Sequence, residues 1–188
     1  MNTVSTVNIA VVGYGYPALT NAARYTQLGF RVSFIGIKNT NYLPLDAEPD
    51  LDEMFGRAIE SGRLSLTSSY AEALRWAQFV IVAGVFQEDV QMVVRSISDA
   101  MDRQIIIVNK CIVPFSAGDW VAEIIRKRHP KAPRFSVVHC SEFLRRGHFV
   151  DDFMSQRKTF VRSSNQEAAL EVAKTLCVNS ANVVVRVV

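Results

Sequence analysis

Short runs that are apolar almost throughout alternate along this chain with longer stretches whose apolar residues recur every three or four positions. Val7–Val12, Arg31–Ile37 (RVSFIGI), Phe79–Ala83 (FVIVA) and Gln104–Asn109 (QIIIVN) are too short for independent helices and rich in β-branched residues, so they predict buried strands. Leu64–Thr67, Phe135–His139, a shorter Phe160–Arg162 and Asn182–Val188 complete the strand set. Helices are expected from Ala18 to Leu28, over Leu51–Glu60 with Leu51, Met54, Phe55 and Ile59 on one side, and over Tyr70–Trp76 with Ser69 as N-cap. Three more follow: Asp89–Met101 with Val90, Val93, Val94 and Ile97 at core spacing, Ala117–Arg128, and Asn165–Cys177. Gly29 and Gly62 are placed to stop the first two helices, and residues 38–50, with Asn39, Asn41, Pro44 and Pro49, read as a loop. Apolar strands separated by amphipathic helices imply an α/β fold: a single doubly wound, mainly parallel sheet with helices on both faces. With no repeat, low-complexity tract or linker, residues 1–188 are expected to form one domain.

Chemistry concentrates at the first strand-to-helix junction. Val7–Val12 runs directly into Gly13-Tyr14-Gly15-Tyr16-Pro17-Ala18, which is a G-x-G-x-x-G/A fingerprint with a strand before it and a helix after it. Gly13 serves the tight turn, Gly15 lets backbone N–H groups approach a pyrophosphate, and Ala18 lets helix and strand pack closely. The helix N-terminus then offers unpaired donors and its positive dipole end to the phosphates. A strand-turn-helix unit without a ligand is the plainer alternative. The expected architecture is thus a Rossmann-type domain, and Gly13, Tyr14, Gly15, Tyr16, Pro17 and Ala18 are its candidate cofactor-binding residues.

Composition narrows the setting. At 188 residues, 49% hydrophobic and 21% charged, the chain is long enough for a substantial core and has the balance of a soluble protein. It has no apolar run of membrane-spanning length, and Met1–Thr6 lacks the basic start of a signal peptide, so a cytoplasmic protein with no membrane partner is expected. Cys111, Cys140 and Cys177 are odd in number and widely spaced, which predicts reduced, structural thiols and no metal site. Residues 1–94 hold six basic and nine acidic side chains, a net −3, whereas residues 95–188 hold fifteen and nine, a net +6. The excess gathers at Arg126-Lys127-Arg128-His129 with Lys131 and Arg134, at Arg145-Arg146 and at Arg157-Lys158. The first group closes a helix, where the dipole favours cations, so a solvated face rather than a nucleic-acid surface is expected.

Five stretches, taken together, carry a resemblance. They are Val12-Gly13-Tyr14-Gly15-Tyr16; Glu48-Pro49 with Gly62-Arg63-Leu64 and Thr67; Lys110-Cys111-Ile112-Val113-Pro114; Ser141-Glu142-Phe143-Leu144-Arg145 with Gly147; and Asp152-Phe153 with Arg157. In this order they resemble the N-terminal NAD-binding domain of the UDP-glucose/GDP-mannose 6-dehydrogenase family, over essentially the whole chain. The resemblance implies NAD as cofactor and Glu142 as a carboxylate of the acid/base and water-handling apparatus; an ordinary surface glutamate is the alternative for Glu142.

The departures from that pattern are as informative. Where the family ends its second strand in an Asp that holds the adenosine ribose, this chain has Gly36, so bidentate ribose recognition is lost. Lys38, two residues on, sits where a cation would suit the 2′-phosphate of NADP, or it is simply solvated. Gly84-Val85-Phe86 replaces the family's Thr-Pro strand end, and Cys111-Ile112-Val113-Pro114 replaces Ser-Thr-Val-Pro, exchanging a hydroxyl for an apolar side chain. Ser141 and Arg146 replace a proline and a second glutamate, and Pro17 removes one N–H from the helix start. The family's catalytic cysteine and most of its sugar-nucleotide pocket belong to a central helix and C-terminal domain, which are expected to be absent here. Cys111, near the expected nicotinamide, is either a reactive thiol or a packed cysteine.

Two classes of function follow. One is a degenerate Rossmann module that binds a nucleotide or dinucleotide weakly, or a protein partner at the surface left by the central helix, without redox chemistry. The other is the cofactor half of an NAD-dependent sugar-nucleotide dehydrogenase, completed by a separate chain or a longer parent and serving polysaccharide precursor synthesis. Joint loss at Gly36, Ile112 and the Thr-Pro site favours the first.

Overall fold

A computed structural model describes residues 6–36, 49–85, 87–111, 117–141, 148, 151–152, 158–178 and 180–187. Its strands are β1 (Asn8–Gly13), β2 (Arg31–Gly36), β3 (Leu64–Leu66), β4 (Phe79–Ala83), β5 (Ile105–Asn109), β6 (Phe135–Ser141), β7 (Thr159–Ser163) and β8 (Val183–Val187). Its helices are α1 (Gly15–Gln27), α2 (Pro49–Glu60), α3 (Tyr70–Leu74), α4 (Gln87–Ala100), α5 (Ala117–Arg128) and α6 (Gln166–Leu176). The strands form one sheet in the order β3-β2-β1-β4-β5-β6-β7-β8. Every described pairing is parallel except β6 with β7, which is antiparallel. The first six positions are the Rossmann order, whose chain reversal lies between β1 and β4.

Alternation along the strands divides the core into two layers. Ile9 and Val11 of β1, with Phe79 and Ile81 of β4, face Ala18, Ala22 and Tyr25 of α1, Ala58 of α2 and Ala169 and Val172 of α6. Ala10 and Val12, with Val80 and Val82, face Leu74 of α3, Val90, Val93 and Ile97 of α4 and Val121 and Ile125 of α5. The sheet is therefore covered on both sides, as strands without a polar face require.

Local signals set most boundaries. The α1 terminus is a Schellman turn, in which Gly29 N–H donates to Thr26 O at 3.0 Å and Phe30 N–H to Tyr25 O at 3.1 Å. The rings of Tyr25 and Phe30 stack with centroids 6.0 Å apart, which supplies the apolar contact of that motif. Ser69 caps α3 by accepting from Glu72 N–H, and Asn165 caps α6 by accepting from Ala168 N–H. Several boundaries differ from expectation by one to three residues, three of them for reasons that the local structure shows. Helix α1 starts at Gly15, not Ala18, because a proline in the first turn removes only an N–H that has no intrahelical acceptor. For the same reason α2 begins at Pro49 rather than after it. Strand β6 continues to Ser141, because β7 pairs with its last residues: Cys140 with Val161 and Ser141 with Phe160.

The basic cluster that closes α5 is engaged by neighbouring side chains and backbone. Arg128 makes two 2.7 Å hydrogen bonds to the Asp99 carboxylate of α4, and Lys127 Nζ is 2.6 Å from Glu123. Arg126 lies over the Phe135 ring at 5.8 Å, and His129 Nδ1 is 3.2 Å from Ser98 O. The Arg128 guanidinium holds the Asp99 carboxyl below its ordinary range. Among the described residues no helix is long and apolar enough to cross a membrane, and no cluster of His, Cys, Asp or Glu could hold a metal.

Candidate functional site

Three strand ends meet at the chain reversal. Gly13, at the end of β1, lies in register with Gly36 of β2 on one side and Ala83 of β4 on the other. The turn above them is packed against β4. A Cβ on Gly13 would stand 1.8 Å from Ala83 O and 3.1 Å from the Ala18 Cβ, so any side chain there would collide with the backbone. Gly84, just past β4, completes the interlock. Its φ of +67° is in the left-handed region, and a Cβ on it would lie 2.1 Å from Tyr14 O. In sequence Gly84 stands out only as part of a missing Thr-Pro motif. The structure shows it as the residue that lets the end of β4 approach the glycine loop, and a glycine immediately after a buried strand is the signal that points to it.

Gly15 is different. Its φ of +69° also requires glycine, but the space beside it is open: a Cβ would meet only Pro17 Cδ, at 3.7 Å. Tyr14 stands at the N-cap in extended conformation, its side chain makes no capping hydrogen bond, and the first turn of α1 contains no acidic residue. The helix start therefore presents its N–H groups and positive dipole end with no carboxylate of its own to neutralise them. Pro17 contributes its carbonyl inward, accepting from Asn21 Nδ2 at 2.8 Å. Ala18 is fully buried between helix and sheet. The structure thus brings Gly13, Tyr14, Gly15, Tyr16, Pro17 and Ala18 together as one loop and helix start.

The tip of β2 contrasts with this. Gly36 is exposed, and a Cβ there would meet only Phe34 Cε1 and Cζ, the nearer at an ordinary 3.5 Å. Nothing among the described residues demands glycine at this position, and a Cβ there makes only ordinary contacts with them. Lys38 lies outside the described residues, as do Ile112 and Glu142.

On the other side of the reversal, Asn109 ends β5 as a buried polar residue. Its Oδ1 accepts from Cys111 N–H at 2.9 Å, and its Nδ2 is 3.4 Å from His139 Nδ1. Cys111 Sγ lies 3.5 Å from Val82 O, and Lys110 N–H donates to the same carbonyl at 2.8 Å. Lys110 Nζ sits 5.3 Å from the centroid of the Tyr25 ring. Asn109, which in sequence reads only as the end of a strand, organises this turn. Cys111 packs against β4 with a carbonyl acceptor for its thiol. Of the last resemblance motif only Asp152 is described, its N–H donating to His148 O at 2.8 Å.

The NAD expected at such a site fits one end better than the other. The open space at Gly15 and the acid-free helix start suit a pyrophosphate, whereas the β2 tip ends in Gly36, which has no acid for a ribose.

The comparisons agree with this geometry. Residues 7–179 match the sequence model of the UDP-glucose/GDP-mannose dehydrogenase family, NAD binding domain. A UDP-glucose 6-dehydrogenase of Pseudomonas aeruginosa is 29% identical over 180 residues, covering 86% of this chain and 40% of that protein. UDP-glucose 6-dehydrogenase TuaD of Bacillus subtilis is 26% identical over 176 residues, covering 86% and 38%. The chain thus spans about two fifths of the length of these relatives. In fold it is similar to a UDP-glucose dehydrogenase from Pyrobaculum islandicum, with a TM-score of 0.85 at 24% identity over 100% of this chain and 48% of that one. A GDP-mannose dehydrogenase from Pseudomonas aeruginosa gives 0.84 at 17% identity, over 97% and 47%. A strand order with its reversal at the glycine loop, together with a match from residue 7 to residue 179, places this chain in the UDP-glucose/GDP-mannose dehydrogenase family, as its NAD-binding domain.

Proposed function

We propose that this chain binds NAD weakly, gripping it by the pyrophosphate, and that alone it does not oxidise sugar nucleotides. The observation that carries this reading is the contrast between the open, positive-φ Gly15 at an acid-free helix start and the exposed Gly36, which has no acid for a ribose. Gly15, Tyr16 and Ala18 would hold the pyrophosphate with backbone and dipole. Tyr14 and Tyr16 flank it, and Pro17 fixes the first turn at the loss of one donor. Bound NAD would supply a hydride acceptor. Glu142 is the chain's own candidate for proton handling, and Ile112 puts a methyl-ended side chain where the family has a hydroxyl. Lys38 is the candidate contact for a 2′-phosphate, which makes NADP the competing dinucleotide.

A second reading has an observation of its own. Likeness to UDP-glucose 6-dehydrogenases runs over 86% of this chain, which supports it as the cofactor-binding part of a sugar-nucleotide dehydrogenase whose remaining parts come from a longer parent or a separate chain. Such an enzyme would serve polysaccharide precursor synthesis in the cytoplasm.

The two readings separate in one assay. The purified chain with NAD or NADP and UDP-glucose or GDP-mannose is expected to produce no reduced cofactor. Steady production above a protein-free blank would overturn the first reading. Production only after adding a protein that carries the missing parts would establish the second.

A further inference from the structure

Two of the three cysteines lie side by side, far apart in sequence. Cys140, the penultimate residue of β6, and Cys177, the C-cap of α6, are 37 residues apart, yet their Sγ atoms are 3.8 Å apart. Both belong to the core layer between the sheet and α6, where Val138, Val161, Ala169, Val172 and Leu176 surround them. Cys140 is 1% exposed and Cys177 7%. That separation is van der Waals contact between thiols, not a bond. A disulfide needs about 2.05 Å, so the sulfurs must close by roughly 2 Å or less. Rotation about the two side chains, and a small shift where α6 ends, can supply that movement.

We propose that Cys140 and Cys177 are a convertible dithiol pair, a modification site that a hydroperoxide closes to a disulfide tying α6 to β6. Cys177, the more accessible of the two, reacts first. Its thiolate attacks one peroxide oxygen, the O–O bond breaks, and the departing oxygen leaves as water or an alcohol with the proton that Cys177 gave up. The resulting sulfenic acid is then attacked by the Cys140 sulfur. The S–O bond breaks, an S–S bond forms, and hydroxide leaves as water with the proton from Cys140. Two thiols lose two electrons and the hydroperoxide gains them. Burial shields both sulfurs, so the pair stays reduced at rest and closes only under oxidant.

The position gives the bond a consequence. It clamps β6 two residues before Glu142, and the loop it closes contains the whole of residues 142–157, where the motif Glu142-Phe143-Leu144-Arg145 lies. Cys111, at the end of β5 against Val82 O, takes no part and serves as an internal control.

The test is peptide mapping of the full chain, treated with hydrogen peroxide, alkylated and digested with trypsin without reductant. The expected product joins Phe135–Arg145 to Thr175–Arg186 and disappears on adding dithiothreitol. The oxidised chain should also melt about 5 °C higher. Cys140→Ser and Cys177→Ser should abolish the cross-linked peptide, and Cys111→Ser should keep it. Mapping of the unaltered chain needs no variant to fold. Alkylated thiols or separate sulfinic acids at Cys140 and Cys177, a main disulfide through Cys111, or a cross-link that leaves melting unchanged would each overturn the proposal.

Discussion

The phosphate end and the ribose end of the candidate site both rest on glycine, for opposite reasons. At the phosphate end, Gly13 and Gly84 are held in place by backbone: an added Cβ would meet Ala83 O at 1.8 Å in one case and Tyr14 O at 2.1 Å in the other. These two glycines would be kept by the fold whether or not a nucleotide ever binds. At the ribose end, Gly36 has room for a Cβ beside the described residues and does not need glycine conformation. Gly15 belongs to neither case. Its conformation needs glycine while the space around it stays open, so it is the position at which use of the site can be read. A glycine-rich loop is therefore weaker evidence for a ligand than it looks, since part of it is a packing requirement.

Adding a methyl group at the two interlocked glycines should have the largest effect. Gly13→Ala and Gly84→Ala should cost about 3–5 kcal/mol of stability, or prevent folding, because backbone must move to admit the Cβ. Chemical denaturation reads this directly, and a loss under about 1 kcal/mol would show that the interlock is looser than described.

Gly15→Val comes next. The left-handed backbone makes a β-branched residue costly, by roughly 1–2 kcal/mol, but only the edge of Pro17 stands near the new side chain. The fold should survive while nucleotide binding is lost, as judged by circular dichroism and calorimetry on the same sample. Binding that persists in a folded variant would locate the ligand elsewhere and leave the loop as a turn only.

Gly36→Asp should act in the other direction. Restoring a charge-assisted pair to the ribose should be worth on the order of 1.5–3 kcal/mol, a roughly ten- to hundredfold gain in NAD affinity, with stability nearly unchanged. A smaller gain would mean that the ribose does not reach β2.

The smallest expected effect is at Lys38. The sequence places Lys38 in a loop, where a lysine contact is worth at most about 1 kcal/mol, so Lys38→Ala should change the ratio of NADP to NAD affinity by no more than about fivefold. A larger fall in NADP affinity would make this an NADP site.

Much of the fold is legible in the sequence because strands covered on both faces are apolar throughout while the helices between them are amphipathic. Val80 and Val82 face one layer and Phe79 and Ile81 the other, so FVIVA reads as a strand buried on both faces from its composition and length alone. Capping chemistry is equally local: Ser69, Asn165 and the turn at Gly29 all act within a few residues. What is not legible depends on partners distant in sequence. Strand β6 runs to Ser141 because β7 pairs antiparallel with its last residues, and Gly84 matters only because Tyr14 O stands over it. The contact between Cys140 and Cys177 is of the same kind, since spacing alone predicts only reduced structural thiols. Of the candidate site, Gly13 to Ala18 form one turn and helix start, while Lys38 and Glu142 lie outside the described residues.

If NAD is held by its pyrophosphate and not by its ribose, isothermal titration of NAD into the unaltered chain, Gly15→Val and Gly36→Asp under one set of conditions will show it. Binding weaker than micromolar is expected for the unaltered chain, none for the valine variant and clearly tighter binding for the aspartate variant. Sub-micromolar binding by the unaltered chain, or equal affinity in all three proteins, would contradict this mode of binding.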